Sequence, residues 1–403
     1  MRRMAESLLL EIDGHQVTVT RPDRVIFPRS GISKLDLIHY YLAVGDGTLR
    51  GVAGRPMILK RFVKGIDAEA VFQKRAPVNR PEWIEVAELT YRSGTSAREA
   101  VLRDAAGLAW AVNLGCIDFN PHPVRADDLD HPDELRIDLD PMPGADWPQI
   151  IEVALVVRAI LQEHGLTPWP KTSGSRGFHV YARIAPRWPY PQVRRAAEAV
   201  AREAQRRLPE LATARWWKDE RRGVFVDFNQ NAKDRTVASA YSVRAVPDAR
   251  VSTPLHWDEV KDCRPEAFTV ATVPRRYAAI GDPWAEMDSA TGSLDGLLAL
   301  AGELGPTRRT PARDRPVLIE IARTRTRQEA MAALDAWKAT HPEVTALLEP
   351  VDVLVDGMRG PSSIWYRIRI NLQHVPADQR PPQEPLIADY SPWQGYSGRL
   401  WRR

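Results

Sequence analysis

The run Glu134-Leu135-Arg136-Ile137-Asp138-Leu139-Asp140-Pro141 constrains the fold more tightly than any other segment of this 403-residue chain. Charged and aliphatic residues alternate at a period of two, which suits a strand and not a helix. Asp138 and Asp140 then share one face, about 7 Å apart, while Ile137 and Leu139 enter the core. Two carboxylates on one side of a strand end repel unless a cation lies between them. Hard divalent ions such as Mg²⁺ or Mn²⁺ suit that arrangement, taking oxygen ligands and leaving positions open for phosphate. Two solvated aspartates before a Pro-Gly turn have the same pattern, so the segment needs support from elsewhere.

Support comes from two further segments. In Gly223-Val224-Phe225-Val226-Asp227-Phe228-Asn229-Gln230-Asn231 an apolar run of strand propensity delivers one acid, Asp227, ahead of three amides. A lone acid at a strand end is commonly a turn former, but with Asp138 and Asp140 it completes a ligand set for phosphoryl transfer. Between them lies Lys171-Thr172-Ser173-Gly174-Ser175-Arg176-Gly177-Phe178-His179-Val180-Tyr181. Its small residues let backbone N–H groups approach phosphate oxygens, with Lys171 and Arg176 offering charge and Ser173 a hydroxyl. His179 and Tyr181 share a face of the strand that follows.

The chain is expected to be α+β (mixed α/β), with residues 1–302 as one domain. Leu8 to Ile12 and Gln16 to Thr20 flank Asp13-Gly14 as a hairpin, and Ser33 caps a helix over Lys34 to Leu42. Strands are expected at Leu135 to Leu139, Phe178 to Ile184, Val224 to Phe228 and Thr236 to Val243. Helices are expected at Trp147 to His164 and at Pro191 to Leu208, the second with a basic face at Arg194, Arg195, Arg202, Arg206 and Arg207. The Pro- and Arg-rich stretch at 303–316 reads as a linker. Residues 317–403 read as a small α+β extension, with strands at Val317 to Ile321 and Ser363 to Leu372 and a helix at Arg327 to Lys338. Trp393, Tyr396 and Trp401 in its tail call for burial.

A hydrophobic content of 44% fits a globular protein. No apolar run of 18 residues spans a bilayer, and the N-terminus lacks the apolar stretch of a signal peptide, so a cytoplasmic protein is expected. Cys116 and Cys263 are too isolated for a zinc site and read as buried thiols. The net charge of +4 permits a nucleic-acid partner without requiring one.

The three segments, in this order, resemble the archaeo-eukaryotic primase-polymerase superfamily, and specifically the polymerase domain of bacterial DNA ligase D. The likeness covers roughly Leu8 to Gly302, with matching stretches at Arg21 to Pro28, Gly31 to Lys34, Leu59 to Phe62, Phe72 to Lys74 and Tyr241 to Ala245. The resemblance implies a primase-polymerase core of mixed and antiparallel sheets flanked by helices. It also implies a nucleotidyltransferase that uses two Mn²⁺ or Mg²⁺ ions and NTP or dNTP substrates to fill gaps at DNA breaks.

Carried over by position, it makes Asp138, Asp140 and Asp227 the metal ligands and catalytic acids. Ser173, Arg176 and His179 would meet the triphosphate, with Lys60, Gln230 and Arg244 lining the nucleotide pocket. Arg24 and Lys34 would grip the 5′-phosphate of a gap, and Phe72 would stack on the template, with Val71 where the family can have a second aromatic. Ribonucleotide preference rests on the resemblance alone. One departure is at Asp118-Phe119-Asn120-Pro121-His122-Pro123, where Asn120 stands in place of a family histidine and His122 is the alternative. No ligase nucleotidyl-lysine motif or nuclease domain occurs in these residues. The nearest likeness is therefore to stand-alone actinobacterial gap-filling enzymes that act beside a separate DNA ligase, and this chain is expected to act as a monomer on gapped or primed DNA. Rival readings are a two-metal nuclease and a non-catalytic DNA-end-binding module.

Overall fold

The structure, a computed structural model, describes residues 7–91, 94–215, 220–306, 317–359 and 364–391. The chain divides into two compact units, Met1–Pro306 and Thr307–Arg403. The tail aromatics Trp393, Tyr396 and Trp401 and most of the expected linker lie outside the described residues.

The first unit is organised around a five-stranded sheet in the order Trp169–Thr172, Phe178–Arg183, Glu134–Pro141, Val224–Asp227, Ala212–Thr213. All pairings are antiparallel except the last. Leu135, Ile137, Leu139, Val180 and Val226 project to one face and are buried with the helices Trp147–Glu163 and Tyr190–Arg207. Each such aliphatic side chain contributes about 1.5–3 kcal/mol on burial. The first helix starts at a capping box between Asp146 and Gln149. The second brings Ala196, Ala197, Val200, Ala201 and Ala204 into the same core.

A second sheet, in the order Val71–Gln73, Pro56–Arg61, Ser96–Val101, Glu85–Thr90, pairs also with Asn120–Pro121 through Pro56–Arg61. Its Met57, Leu59 and Ala100 share a core with Leu37, Ile38 and Tyr41 of the helix Lys34–Ala43. The N-terminal hairpin Ser7–Ile12 and His15–Thr20 turns at Asp13 and Gly14, both with left-handed φ (48° and 75°).

Two expectations need amendment. Thr236 to Val243 is not a strand. Its backbone bonds go to separate places, Ser239 N to Phe119 O and Tyr241 N to Ser252 O, and Tyr241 takes a left-handed φ of 62° that no ladder accommodates. The basic face of Tyr190–Arg207 is partly paired. Arg206 and Arg207 pair with Glu203, Arg207 also with Glu163, and Arg202 donates to the carbonyls of Leu304 and Gly305.

In the second unit a sheet runs in the order Val353–Arg359, Ile364–Asn371, Leu318–Thr324, Ala388–Asp389. The helix Arg327–Thr340, capped by Thr326 and Glu329, packs Ala330, Leu334 and Trp337 on Ile319, Ile321, Ile368 and Ile370.

Candidate active site

Lys171, His179, Asp138 and Asp227 occupy directly opposed positions on four adjacent strands of the central sheet. Opposed residues in a ladder project to the same face. This row therefore lies on the side away from the two helices. Asp140, two residues beyond Asp138, joins it, and ligand oxygens of Asp138, Asp140 and Asp227 all lie within 4.8 Å of one another. Among the described residues it is the one grouping of three or more metal-ligating side chains. Gln230, on the turn after Asp227, donates to Asp227 Oδ2 at 3.1 Å and to Asp138 Oδ2 at 3.4 Å.

The acids are electrostatically unsettled, as a cation site should be. Burial pushes Asp138 up to about 6, against the pull of Lys171 and Arg244. Burial and then the charges of Asp138 and Asp227 push Asp140 up to about 7. Asp227 is raised too, first by burial. Three carboxylates with elevated proton affinity fit a bound divalent cation, which would replace the proton. A carboxyl whose folded pKa exceeds its unfolded value binds its proton more tightly in the fold. The contribution of these acids to metal-free stability should therefore fall as pH rises from the ordinary 3.8 to about 7, and be flat above. Saturating Mg²⁺ or Mn²⁺ should flatten that slope. Thermal unfolding across this range, with and without the ion, checks the expectation, and an identical slope in both series would contradict it.

Asp138 and Asp140 open on a cavity of about 980 Å³ that is also lined by Asn120, Ser173, Arg176, His179, Gln230 and Arg244. The turn at Ser173 is held from within, because Ser173 Oγ accepts from the N–H groups of Ser175 (3.1 Å) and Gly177 (3.0 Å). Glycine is required twice. A Cβ at Gly174 would meet Ser252 N at 2.7 Å, and one at Gly177 would meet Leu139 O at 2.5 Å. Arg176 is exposed at the rim. His179 Nε2 lies 3.2 Å from Asp138 Oδ1, and burial together with Lys171 holds the imidazole well below its ordinary pKa, hence neutral.

Lys60 and Arg244 meet through a residue that sequence reasoning missed. Asp118, buried, takes Lys60 Nζ at 3.0 Å and has Arg244 Nε at 3.8 Å, while Arg244 Nη1 donates to Ser173 O at 2.8 Å. Arg221 was also missed. It lies 3.4 Å over the Phe225 ring and interacts with Asp227 and Asp140. Of the two residues at the 118–123 departure, Asn120 lines the cavity, whereas His122 is buried with Nε2 3.0 Å from Glu99.

Five expected residues, Asp227, Lys60, Arg24, Lys34 and Phe72, are not among those lining this cavity. Lys34 is buried, donating to Thr20 O and to Asn113 Oδ1 (3.1 Å), in a cationic group with Arg21 and Arg24. Phe72 is 59% exposed on the edge strand Val71–Gln73, with Lys60 Nζ 6.0 Å from its ring.

Comparison with known proteins agrees with this geometry. The family described as LigD, primase-polymerase domain, matches residues 33–284. The multifunctional non-homologous end joining protein LigD of Mycolicibacterium smegmatis is 32% identical over 285 residues, 70% of this chain and 37% of that protein. The bifunctional LigD of Bacillus subtilis is 29% identical over 66% of this chain and 43% of its own length. The chain thus spans less than half of each of these relatives. The polymerase domain of Mycobacterium tuberculosis ligase D, solved in complex with DNA, superposes with a TM-score of 0.64 at 31% identity, covering 68% of this chain and 98% of that one. The chain belongs to the LigD primase-polymerase domain family.

Proposed function

We propose that the chain is a template-directed nucleotidyltransferase that extends primer 3′ ends to fill short gaps at DNA breaks during end joining. The observation that carries this reading is the convergence of Asp138, Asp140 and Asp227, the first two lining the same cavity as the Ser173–Gly177 turn. The three acids would hold two Mg²⁺ or Mn²⁺ ions, which supply a more acidic primer 3′-OH and neutralise charge at the transferred phosphoryl group.

The chain's own residues supply position and charge. Arg176, Ser173 and His179 line the cavity where the triphosphate would lie, and Lys60 and Arg244, tethered by Asp118, would flank the nucleotide. Phe72 presents a bare ring to a template base. Residues 1–302 would be the catalytic domain and 317–403 an extension to it. The DNA-bound relative supports DNA as the partner, in the gapped or primed form that this reading requires. Extension across a short 5′-phosphorylated gap in Mn²⁺, with ribo- and deoxyribonucleotides in parallel, tests the reading. Lengthening with ribonucleotides favoured is expected. Shortening would indicate a nuclease, and binding without either would indicate an end-binding module.

The Arg21, Arg24 and Lys34 group would grip the 5′-phosphate. Burial and then repulsion from Arg21 and Arg24 lower the Lys34 ammonium to about 8. Lys34 is then charged below that pH and progressively neutral above it, so phosphate affinity should fall as pH rises through 8. Losing one charge-assisted contact weakens binding roughly tenfold. The ratio of dissociation constants for phosphorylated and unphosphorylated gaps, followed by fluorescence anisotropy, should show this fall in the wild type and lose it in Lys34→Met. A pH-independent ratio in the wild type would remove Lys34 from the phosphate site.

A further inference from the structure

The polar row across the central sheet begins with a residue that the proposed mechanism leaves unused. Lys171 has no solvent exposure, yet its ammonium sits 2.7 Å from His179 Nδ1, 2.6 Å from Ser252 Oγ and 3.0 Å from Ala238 O. We propose that Lys171 is a positioning residue that fixes which ring nitrogen of His179 carries the proton, so that Nε2–H faces Asp138 and the cavity.

The hydrogen-bond inventory leads there. An ammonium has three N–H groups and no lone pair, so it needs three acceptors. A carbonyl such as Ala238 O only accepts. Ser252 donates its own hydroxyl proton to Thr172 O at 2.9 Å, which leaves a lone pair for the lysine. The third acceptor is His179 Nδ1, which therefore carries the lone pair, and the proton sits on Nε2. That places a donor 3.2 Å from Asp138 Oδ1. The opposite tautomer would set a lone pair against a carboxylate oxygen across that gap. Tyr181 restrains the ring further, lying parallel to His179 within 4° at 5.9 Å and 5.3 Å from the Lys171 ammonium.

Burial, the largest influence, and then the nearby Arg244 pull the lysine well below its ordinary pKa, while its three acceptors and the Asp138 carboxylate favour the charge. An uncharged amine would have a lone pair of its own. It would accept from a His179 Nδ1–H and turn the bare Nε2 toward Asp138, so the tautomer of His179 distinguishes the two arrangements directly. The consequence rests on the polymerase reading: a neutral, pre-aimed N–H meets the incoming triphosphate without reorganising, while Asp138 keeps its other oxygen toward Gln230 and the cation.

The test is a long-range ¹H–¹⁵N correlation spectrum of the full chain labelled at histidine, metal-free at neutral pH, with His179 assigned by its loss in His179→Gln. A pyrrole-like Nε2 and a pyridine-like Nδ1 are expected. In Lys171→Met the pattern should shift toward the reverse tautomer, and kcat for nucleotide addition should fall about 10- to 100-fold with primed-DNA affinity unchanged. A protonated Nδ1 in the wild type, or an unaltered pattern in a folded Lys171→Met, overturns the proposal. The wild-type spectrum decides even if that variant does not fold. Because the spectrum needs no turnover, a chain with the expected tautomer and no extension would refute the polymerase reading alone.

Discussion

Asp227→Asn is expected to slow nucleotide addition by about 10³-fold while leaving the protein folded and able to bind DNA, since metal-borne charge stabilisation is worth several kcal/mol. The substitution is close to isosteric. Asp227 Oδ1 accepts from Asn229 N at 2.8 Å, and an amide oxygen preserves that bond, so the turn carrying Gln230 stays in place. What disappears is one of three charges that repel one another within 4.8 Å. Metal-free stability should accordingly rise, by about 0.5–2 kcal/mol, the usual range when a functional strain is relieved. The same pair of changes is expected of Asp138→Ala in its effect on rate. Single-turnover extension of a primed template in Mn²⁺, with a thermal melt and DNA anisotropy on the same preparation, measures all three quantities. Extension at a wild-type rate by either variant would mean that the acids serve some other purpose.

The acid pair was legible because a period-two alternation places Asp138 and Asp140 on one face whatever surrounds the strand. Asp227 was legible as a third acid, but its register opposite Asp138 is set by strand order, which no local pattern encodes. The hairpin at Asp13-Gly14 and the Ser33 cap were visible for the same local reason. Thr236 to Val243 misled because its β-branched and small residues are spent on scattered partners, Phe119 and Ser252, rather than on a ladder. Asp118 gave almost no signal, being a single charge in an apolar run. Lys171, read as a charge for phosphate, is instead buried against His179 and Ser252. The importance of each comes from partners such as Lys60, Arg244 and Ser252 that only the fold assembles. Asn120 against His122 was likewise undecidable from spacing, since it turns on which of two alternate residues faces the cavity.

Glu134→Ala is expected to destabilise the chain by about 3–5 kcal/mol, the range for removing one partner from a buried ionic cluster. Glu134 starts the strand that ends at Asp138 and Asp140. Its carboxylate takes Arg136 Nη2 at 2.6 Å, Arg183 Nη1 at 2.7 Å and Arg55 Nη2 at 3.1 Å, and all three arginines are buried. Without it, Asp133, bonded to Arg55 at 2.5 Å, and the half-exposed Asp288, bonded to Arg183, are the acids left among the described residues to answer those guanidiniums. Arg55 immediately precedes the strand Pro56–Arg61 of the second sheet, so the cluster ties the two sheets together behind the acids. Burial alone would raise Glu134, yet Arg55, Arg136 and Arg183 together hold it well below the usual carboxylate range. A depressed carboxyl stabilises the fold above its unfolded pKa and loses that contribution as pH falls, so the wild type should weaken below about 4.5. Urea unfolding at neutral pH and near pH 3 should therefore show a large gap between wild type and Glu134→Ala that narrows in acid. A gap that stays constant would assign the loss to packing instead of charge. If the cluster works as the geometry indicates, activity per folded molecule at neutral pH will survive this substitution far better than it survives Asp227→Asn, because Glu134 holds up the strand that carries Asp138 and Asp140 without lining the cavity on which they open.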